Sequence, residues 1–334
     1  MSTYCELQSE IIANFKLLRL LGTGGTGAVY LAKQLNFERV AACKILNPEM
    51  AENPVYIRNF IREARMAARL EHPNIIQALD VGSSGGFHYF AMEYVPGVSL
   101  EKIRVNNPGK ITVEFLLKTV VSLADALDYA WENFHIYHGD IKPDNLMIRE
   151  RDNVLKLADL GLARVAGSDD PDSDVMATPL YAAPEIIMGD LAHAGIRSDI
   201  YSSGIMLYEL LSGSAPFRGE VDEVLRSHLD QTPLPLAEVN PGLDRELASF
   251  IDRMIAKAPV DRPGSWAEVR DFFRSCLDRD CCRTNLKKAD LKKLADSGES
   301  EPDHFSAKIM PWILGGILFI LACAAGYVFF LTFF

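Results

Sequence analysis

The segment Gly22-Thr-Gly-Gly-Thr-Gly27-Ala-Val29-Tyr-Leu-Ala32 decides how the front of this chain is built. Glycines at this spacing let a backbone approach phosphate oxygens and aim N–H groups at them, where side chains would intrude. The same spacing opens dinucleotide-binding units, but in those a helix follows at once. Here the apolar run from Val29 continues as a strand, so the loop is predicted to join two strands of a sheet.

Working outward, Leu17 to Leu21, Val29 to Ala32 and Val40 to Leu46 read as short strands separated by glycines or polar turns. Between Asn53 and Leu70 the period changes to that of a helix. Asn53 suits its cap and Pro54 its first position, and Ile57, Phe60, Ala64, Ala67 and Ala68 form one apolar stripe. Beyond Pro96 the pattern is mostly helical: Val113 to Phe134, Asp199 to Ser212, Leu243 to Ile255 and Trp266 to Cys276. A small β-rich lobe, about 15–92, is therefore expected to precede a larger α-rich lobe, about 96–276. No internal repeat is visible at periods of ~20–50 residues.

On the strand Val40-Ala-Ala-Cys-Lys44, alternation puts Val40, Ala42 and Lys44 on one face. A lysine on an apolar strand is costly unless paired. Glu63, nineteen residues on and bordering the helical stripe, is the expected partner. Such a pair is either structural or, behind a glycine loop, a means of aiming the ammonium at a polyphosphate. Further on, His138-Gly-Asp140-Ile-Lys142-Pro-Asp-Asn145 follows a helix, and Asp159-Leu-Gly161 comes nineteen residues after Asp140. Two acids and an amide oxygen suit magnesium, a hard cation that keeps oxygen ligands; the same residue types also favour turns.

In order, GTGGTGAV, AACK, Glu63, HGDIKPDN, DLG, TPLYAAPE and SDIYSSG resemble the motif set of eukaryotic-like protein kinases, and bacterial membrane-anchored Ser/Thr kinases in particular. The resemblance covers about Phe15 to Cys276. It implies an α+β, two-lobed kinase fold that uses ATP and Mg²⁺ to phosphorylate serine and threonine hydroxyls of proteins. Backbone around Gly22, Gly24 and Gly27 would cover the phosphates, and Lys44, held by Glu63, would contact them. Asp140 would accept the hydroxyl proton, Lys142 would neutralise the transferring group, and Asn145 and Asp159 would hold Mg²⁺. Adenine would lie between Leu21, Val29 and Ala42 above and Met147 below, its edge bonded by the backbone of Glu93 and Val95, with Met92 as gatekeeper. The resemblance also brings Thr178 to Asp140 and Lys142, pairs Glu185 with Arg262, and makes Asp199 an anchor of the catalytic loop. A scaffold without transfer is disfavoured because Lys44, Glu63, Asp140, Asn145 and Asp159 are all present. A small-molecule kinase draws support from the HGD tripeptide, whereas Lys142 and TPLYAAPE speak against it.

Two departures stand out. Gly139 occupies a position where many members have an arginine that answers a phosphate on the activation segment, and Leu160 replaces a phenylalanine. The acidic run Asp169-Asp-Pro-Asp-Ser-Asp174 reads either as a solvated loop or as carboxylates that stand in for phosphates or bias selection toward basic substrates.

The chain of 334 residues has a formal charge of −11, which excludes a general binder of nucleic acid. Its six cysteines are irregularly spaced and no early signal-like run is present, so a reducing compartment is expected, without a disulfide framework or zinc site. From Ile309 to Phe334 there is no charged residue. As a helix this stretch would span ~39 Å, enough to cross a bilayer with some tilt. Residues 309–334 are therefore expected to be a single membrane span, 277–308 a juxtamembrane linker, and the kinase domain cytoplasmic at the cell membrane. The linker lysines Lys287, Lys288, Lys292 and Lys293 either face lipid or form a solvated helix. No domain would then lie beyond the membrane. Ala322 and Gly326 form a small-xxx-small pair that either favours self-association or reflects the usual abundance of small residues.

Overall fold

The computed structural model describes residues 7–160, 163–166, 178–190 and 192–279. Gly161, the acidic run Asp169 to Asp174, the linker beyond residue 279 and the expected span with Ala322 and Gly326 lie outside the described residues. Among the described residues, no helix is long and apolar enough to cross a membrane.

The glycine loop is the tip of a hairpin between β2 (Phe15–Gly24) and β3 (Gly27–Gln34), with Gly24 opposite Gly27. With β1 (Ile11–Ile12), β4 (Arg39–Leu46), β5 (Ala78–Ser84) and β6 (Phe87–Glu93) these form an antiparallel sheet in the order β1-β2-β3-β4-β6-β5. The strands outrun the apolar runs read from sequence, because backbone pairing carries through polar ends such as Lys33 and Gln34. Gly27 has a steric reason: a Cβ there would lie 2.0 Å from the carbonyl oxygen of Ile45. One sheet face buries Phe15, Leu17, Tyr30, Ala41, Cys43 and Ile45 in a common core. The opposite face carries Val29 beside Lys44, and Ala42 between Leu31 and Met92.

Helix α1 (Pro54–Ala68) starts as expected, the Asn53 side chain accepting from the Val55 N–H at 2.9 Å. Its buried residues are Phe60, Glu63, Ala64, Met66 and Ala67. Ala68, read as part of the stripe, is exposed. It sits in the last turn at the stripe's edge, while Glu63 and Met66 occupy the flank that packs inward.

The larger lobe opens with β7 (Gly97–Ser99), α2 (Leu100–Asn106) and α3 (Val113–Phe134), the last matching its expected limits and capped by Thr112. Strand β8 (Ile136–Tyr137), a turn at Pro143–Asn145, β9 (Leu146–Arg149), β10 (Leu155–Leu157) and β11 (Arg164–Val165) follow. They form a β10-β9-β7 sheet and a β11-β8 pair. A turn at Pro179–Tyr181 leads into α4 (Pro184–Ile187) and α5 (Ile196–Ser212). Then come α6 (Val221–Asp230), α7 (Leu236–Val239), α8 (Arg245–Met254) and α9 (Trp266–Asp278). Helix α5 is buried from Ser198 to Leu211 and serves as the lobe's post. Gly204 lets α8's end approach it: a Cβ there would meet Ile255 Cγ2 at 2.6 Å.

Candidate active site

The site lies where the two lobes face each other. On the upper side, Lys44 Nζ donates to both carboxylate oxygens of Glu63, at 2.8 and 2.9 Å, tying β4 to α1. The same ammonium stands 3.9 Å from the carboxylate of Asp159, which belongs to the lower lobe. Burial, the largest influence, pulls the Lys44 pKa down, but the charges of Glu63 and Asp159 outweigh it and the pKa stands above its ordinary value. Burial pushes Glu63 up to about 7, against the pull of Lys44. The pair is therefore fully ionic only above that pH. Any activity that relies on this ion pair is expected to fall as pH drops below about 7, and Glu63→Gln should flatten that acidic limb while lowering the plateau. An unchanged limb in the variant would assign it to another group.

On the lower side, the segment after β8 is threaded over a buried carboxylate. Asp199 accepts from the His138 N–H at 2.6 Å and the Gly139 N–H at 2.8 Å, and burial pushes its pKa up to about 6. Gly139 has φ +80, a left-handed conformation that a side chain there would strain. His138, whose role the motif alone did not reveal, places Nε2 at 3.1 Å from the Ala158 carbonyl and joins this loop to the segment carrying Asp159. A carbonyl can only accept, so that nitrogen carries the proton.

These anchors present Asp140, whose side chain is largely buried. Its Oδ1 accepts from Thr178 Oγ1 at 2.6 Å, and its Oδ2 lies 2.7 Å from Lys142 Nζ. Lys142 also donates to Thr178 at 2.8 Å. Asn145 Nδ2 donates to the Asp140 carbonyl at 2.8 Å and to its Oδ2 at 3.1 Å. Since Nδ2 is spent on Asp140, the amide offers its Oδ1 as an acceptor. That oxygen and the half-exposed Asp159 carboxylate make a hard-oxygen donor pair, chemically suited to Mg²⁺. Seven residues after Thr178, Glu185 is paired with Arg262 out of solvent at 2.7 and 2.9 Å.

Comparison with known proteins decides the family: a model of the protein kinase domain matches residues 15–275. The chain belongs to the protein kinase domain family. Serine/threonine-protein kinase PknB of Mycobacterium tuberculosis is 35% identical over 271 residues, covering 78% of this chain and 42% of the relative. Serine/threonine-protein kinase PrkC of Bacillus subtilis is 32% identical over 287 residues, covering 85% of this chain and 43% of the relative. The chain thus spans less than half the length of these relatives. The crystal structure of the Mycobacterium tuberculosis PknI kinase domain superposes with a TM-score of 0.61 at 30% identity, covering 80% of this chain and 97% of that one.

Within this kinase fold the structure brings Lys44, Glu63 and Asp159 together, and likewise Asp140, Lys142, Asn145 and Thr178. Gly22 and Gly24 lie on the hairpin with open space where a Cβ would stand. Val29 and Ala42 line the upper sheet, Met147 lies on β9 opposite Ser99, and Glu93 ends β6 with Val95 two residues beyond it, between the lobes. Helix α9 runs two residues past Cys276 to Asp278, so the last element of the domain ends slightly beyond the limit read from sequence. Sequence reasoning missed Lys156, buried on β10, which donates to the Glu93 carboxylate at 2.7 Å and ties β10 to the interlobe segment. The signal was present: a lone lysine inside the apolar strand Leu155–Leu157 is the same anomaly that singled out Lys44.

Proposed function

We propose that this chain is an ATP- and Mg²⁺-dependent protein kinase that transfers the γ-phosphoryl group to serine and threonine hydroxyls. The observation that carries this reading is Asp140, bonded to Thr178, Lys142 and Asn145 beneath a Lys44–Glu63 pair. In this reading the glycine hairpin covers the phosphates from above, and Lys44, oriented by Glu63, contacts the α- and β-phosphates. The Glu93 N–H is already given to the Gln77 carbonyl at 2.9 Å, so what Glu93 can offer an adenine edge is its carbonyl, with Val95 offering its N–H. Leu21, Val29 and Ala42 enclose the base from above, Met147 from below, and Met92 stands at the back.

Asp140 receives the acceptor hydroxyl and takes its proton as the new O–P bond forms and the bond from the γ-phosphorus to the β,γ-bridging oxygen breaks, releasing ADP; it shares its carboxylate with Thr178. Lys142, already in salt-bridge contact with Asp140, neutralises charge on the transferring group. Asn145 through Oδ1 and Asp159 through its carboxylate would hold Mg²⁺. When bound, that ion supplies a positive charge against the phosphate oxygens. Phosphoryl transfer passes through a loose transition state, so positioning and fixed charge are what the protein must provide. The direct test incubates the full chain with γ-labelled ATP, Mg²⁺ and a basic protein such as histone, followed by phosphoamino-acid analysis. Label on serine or threonine is expected; label confined to small molecules, or none, would overturn the reading.

Gly139 brings no cation toward the activation segment, which leaves a phosphate there less to pair with. Phosphatase treatment is accordingly expected to leave turnover unchanged, and a large loss would refute this. Membrane anchoring through residues 309–334 is part of the same proposal, supported by their lack of any charged residue. The full chain should sediment with membranes after a high-salt wash, and release into the soluble fraction would contradict the anchor.

A further inference from the structure

Helix α6 carries a histidine that the reaction as described does not use. His228 is fully buried, yet both ring nitrogens are engaged. Nε2 lies 3.1 Å from the Leu180 carbonyl, which can only accept, so Nε2 must donate. Nδ1 is then the acceptor, and Tyr201 Oη on α5 donates to it at 2.8 Å. Three features hold the ring in this neutral form. Phe217 packs edge-on with ring centroids 4.9 Å apart. Lys257 caps the end of α6 by donating to the carbonyls of Ser227 and His228, at 2.9 and 2.8 Å. Burial, and secondly that nearby ammonium, push the His228 pKa down to about 4.

Leu180 belongs to the short segment that begins at Thr178, the residue bonded to Asp140 and Lys142. Its neighbour Tyr181 is also fixed, donating to Glu209 at 2.7 Å and accepting from Ser202 Oγ at 2.8 Å. Among the described residues, hydrogen bonds thus tie the segment to the catalytic loop at Thr178, to α5 at Tyr181 and to α6 at His228. Thr178 sets this segment beside Asp140, so in the kinase reading an acceptor peptide that brings its hydroxyl to Asp140 would run against it.

We propose that His228 is a positioning residue for the protein substrate, setting the Thr178–Tyr181 platform through the relay from Tyr201 to the Leu180 carbonyl. The inference rests on the kinase reading above. It implies that losing the relay moves the platform and not the nucleotide site, because Lys44 and Glu63 are fixed to each other between β4 and α1.

The test uses the full chain with His228→Leu, which keeps bulk and removes both polar ends, and His228→Gln, whose amide nitrogen can replace Nε2. The readouts are peptide KM, ATP KM and thermal midpoint. His228→Leu is expected to raise peptide KM roughly tenfold, the scale of one lost buried hydrogen bond, with ATP KM within about twofold of the parent. His228→Gln should recover most of the peptide KM. Unchanged peptide KM in His228→Leu, a parallel rise in ATP KM, or a glutamine variant as impaired as leucine would each overturn the assignment. If His228→Leu does not fold, Tyr201→Phe takes its place, removing the hydroxyl that fixes the ring: a raised peptide KM with ATP KM unchanged supports the relay, and a parental peptide KM refutes it. Should the parent chain itself transfer no phosphate to any peptide, the kinase reading falls and this inference with it. A parent that phosphorylates peptides with His228 variants indistinguishable from it sinks only the relay.

Discussion

Asp140→Asn is expected to lower the phosphorylation rate by about 10²- to 10⁴-fold while leaving ATP binding nearly intact. The asparagine keeps an oxygen for Thr178 and fits the space, so the loop held by Asp199 should not move. What disappears is the negative charge that balances Lys142 at 2.7 Å and that, in the proposed reaction, takes the hydroxyl proton. Steady-state kinetics with saturating peptide, beside nucleotide titration by fluorescence, separates the two effects. A kcat within about threefold of the parent would mean that Asp140 is not the proton acceptor.

Arg262→Ala should produce the largest loss of stability. The Arg262 side chain has no solvent exposure and Glu185 has 2%. The guanidinium also donates to the carbonyls of Ala256, Arg197 and Lys257, at 2.8, 2.9 and 2.9 Å, so it joins α5 to the loop after α8. Removing it strands a buried carboxylate whose other partner is Ser198 Oγ at 2.6 Å. Breaking one half of such a pair costs about 3–5 kcal/mol, a fall in thermal midpoint on the order of 10 °C for a domain of this size. Arg262→Ala with Glu185→Ala should regain part of the loss, since no unpaired charge is then left inside. A drop below about 1 kcal/mol for the single variant would show that the pair is dispensable.

The parts of the fold that were legible are those written in local pattern. Asn53 and Pro54 fix the start of α1, the uninterrupted period of α3 fixes its limits, and the strand after the glycine loop sets the hairpin. Lys44 and Glu63 could be paired from sequence because each is a charge on an apolar face and a cation there needs an anion. The rest depends on residues far apart along the chain. Lys156 and Glu93 are 63 positions apart, His228 and Leu180 are 48 apart, and nothing near either residue announces its partner. A buried histidine is read from sequence as core or ligand with equal ease; only the Leu180 carbonyl and the Tyr201 hydroxyl give it a direction. The exposed Ala68 illustrates the same limit, because the edge of an apolar stripe is set by what packs beside it and not by its own period.

The most direct measurement follows label from γ-labelled ATP and Mg²⁺ into a basic protein acceptor, comparing the full chain with Lys44→Met and Asp159→Asn. Each substitution removes one charge from the opposing walls that meet at 3.9 Å, and each is expected to slow labelling about 100-fold or more. Variants that label the acceptor at the parental rate would contradict phosphoryl transfer in this cleft.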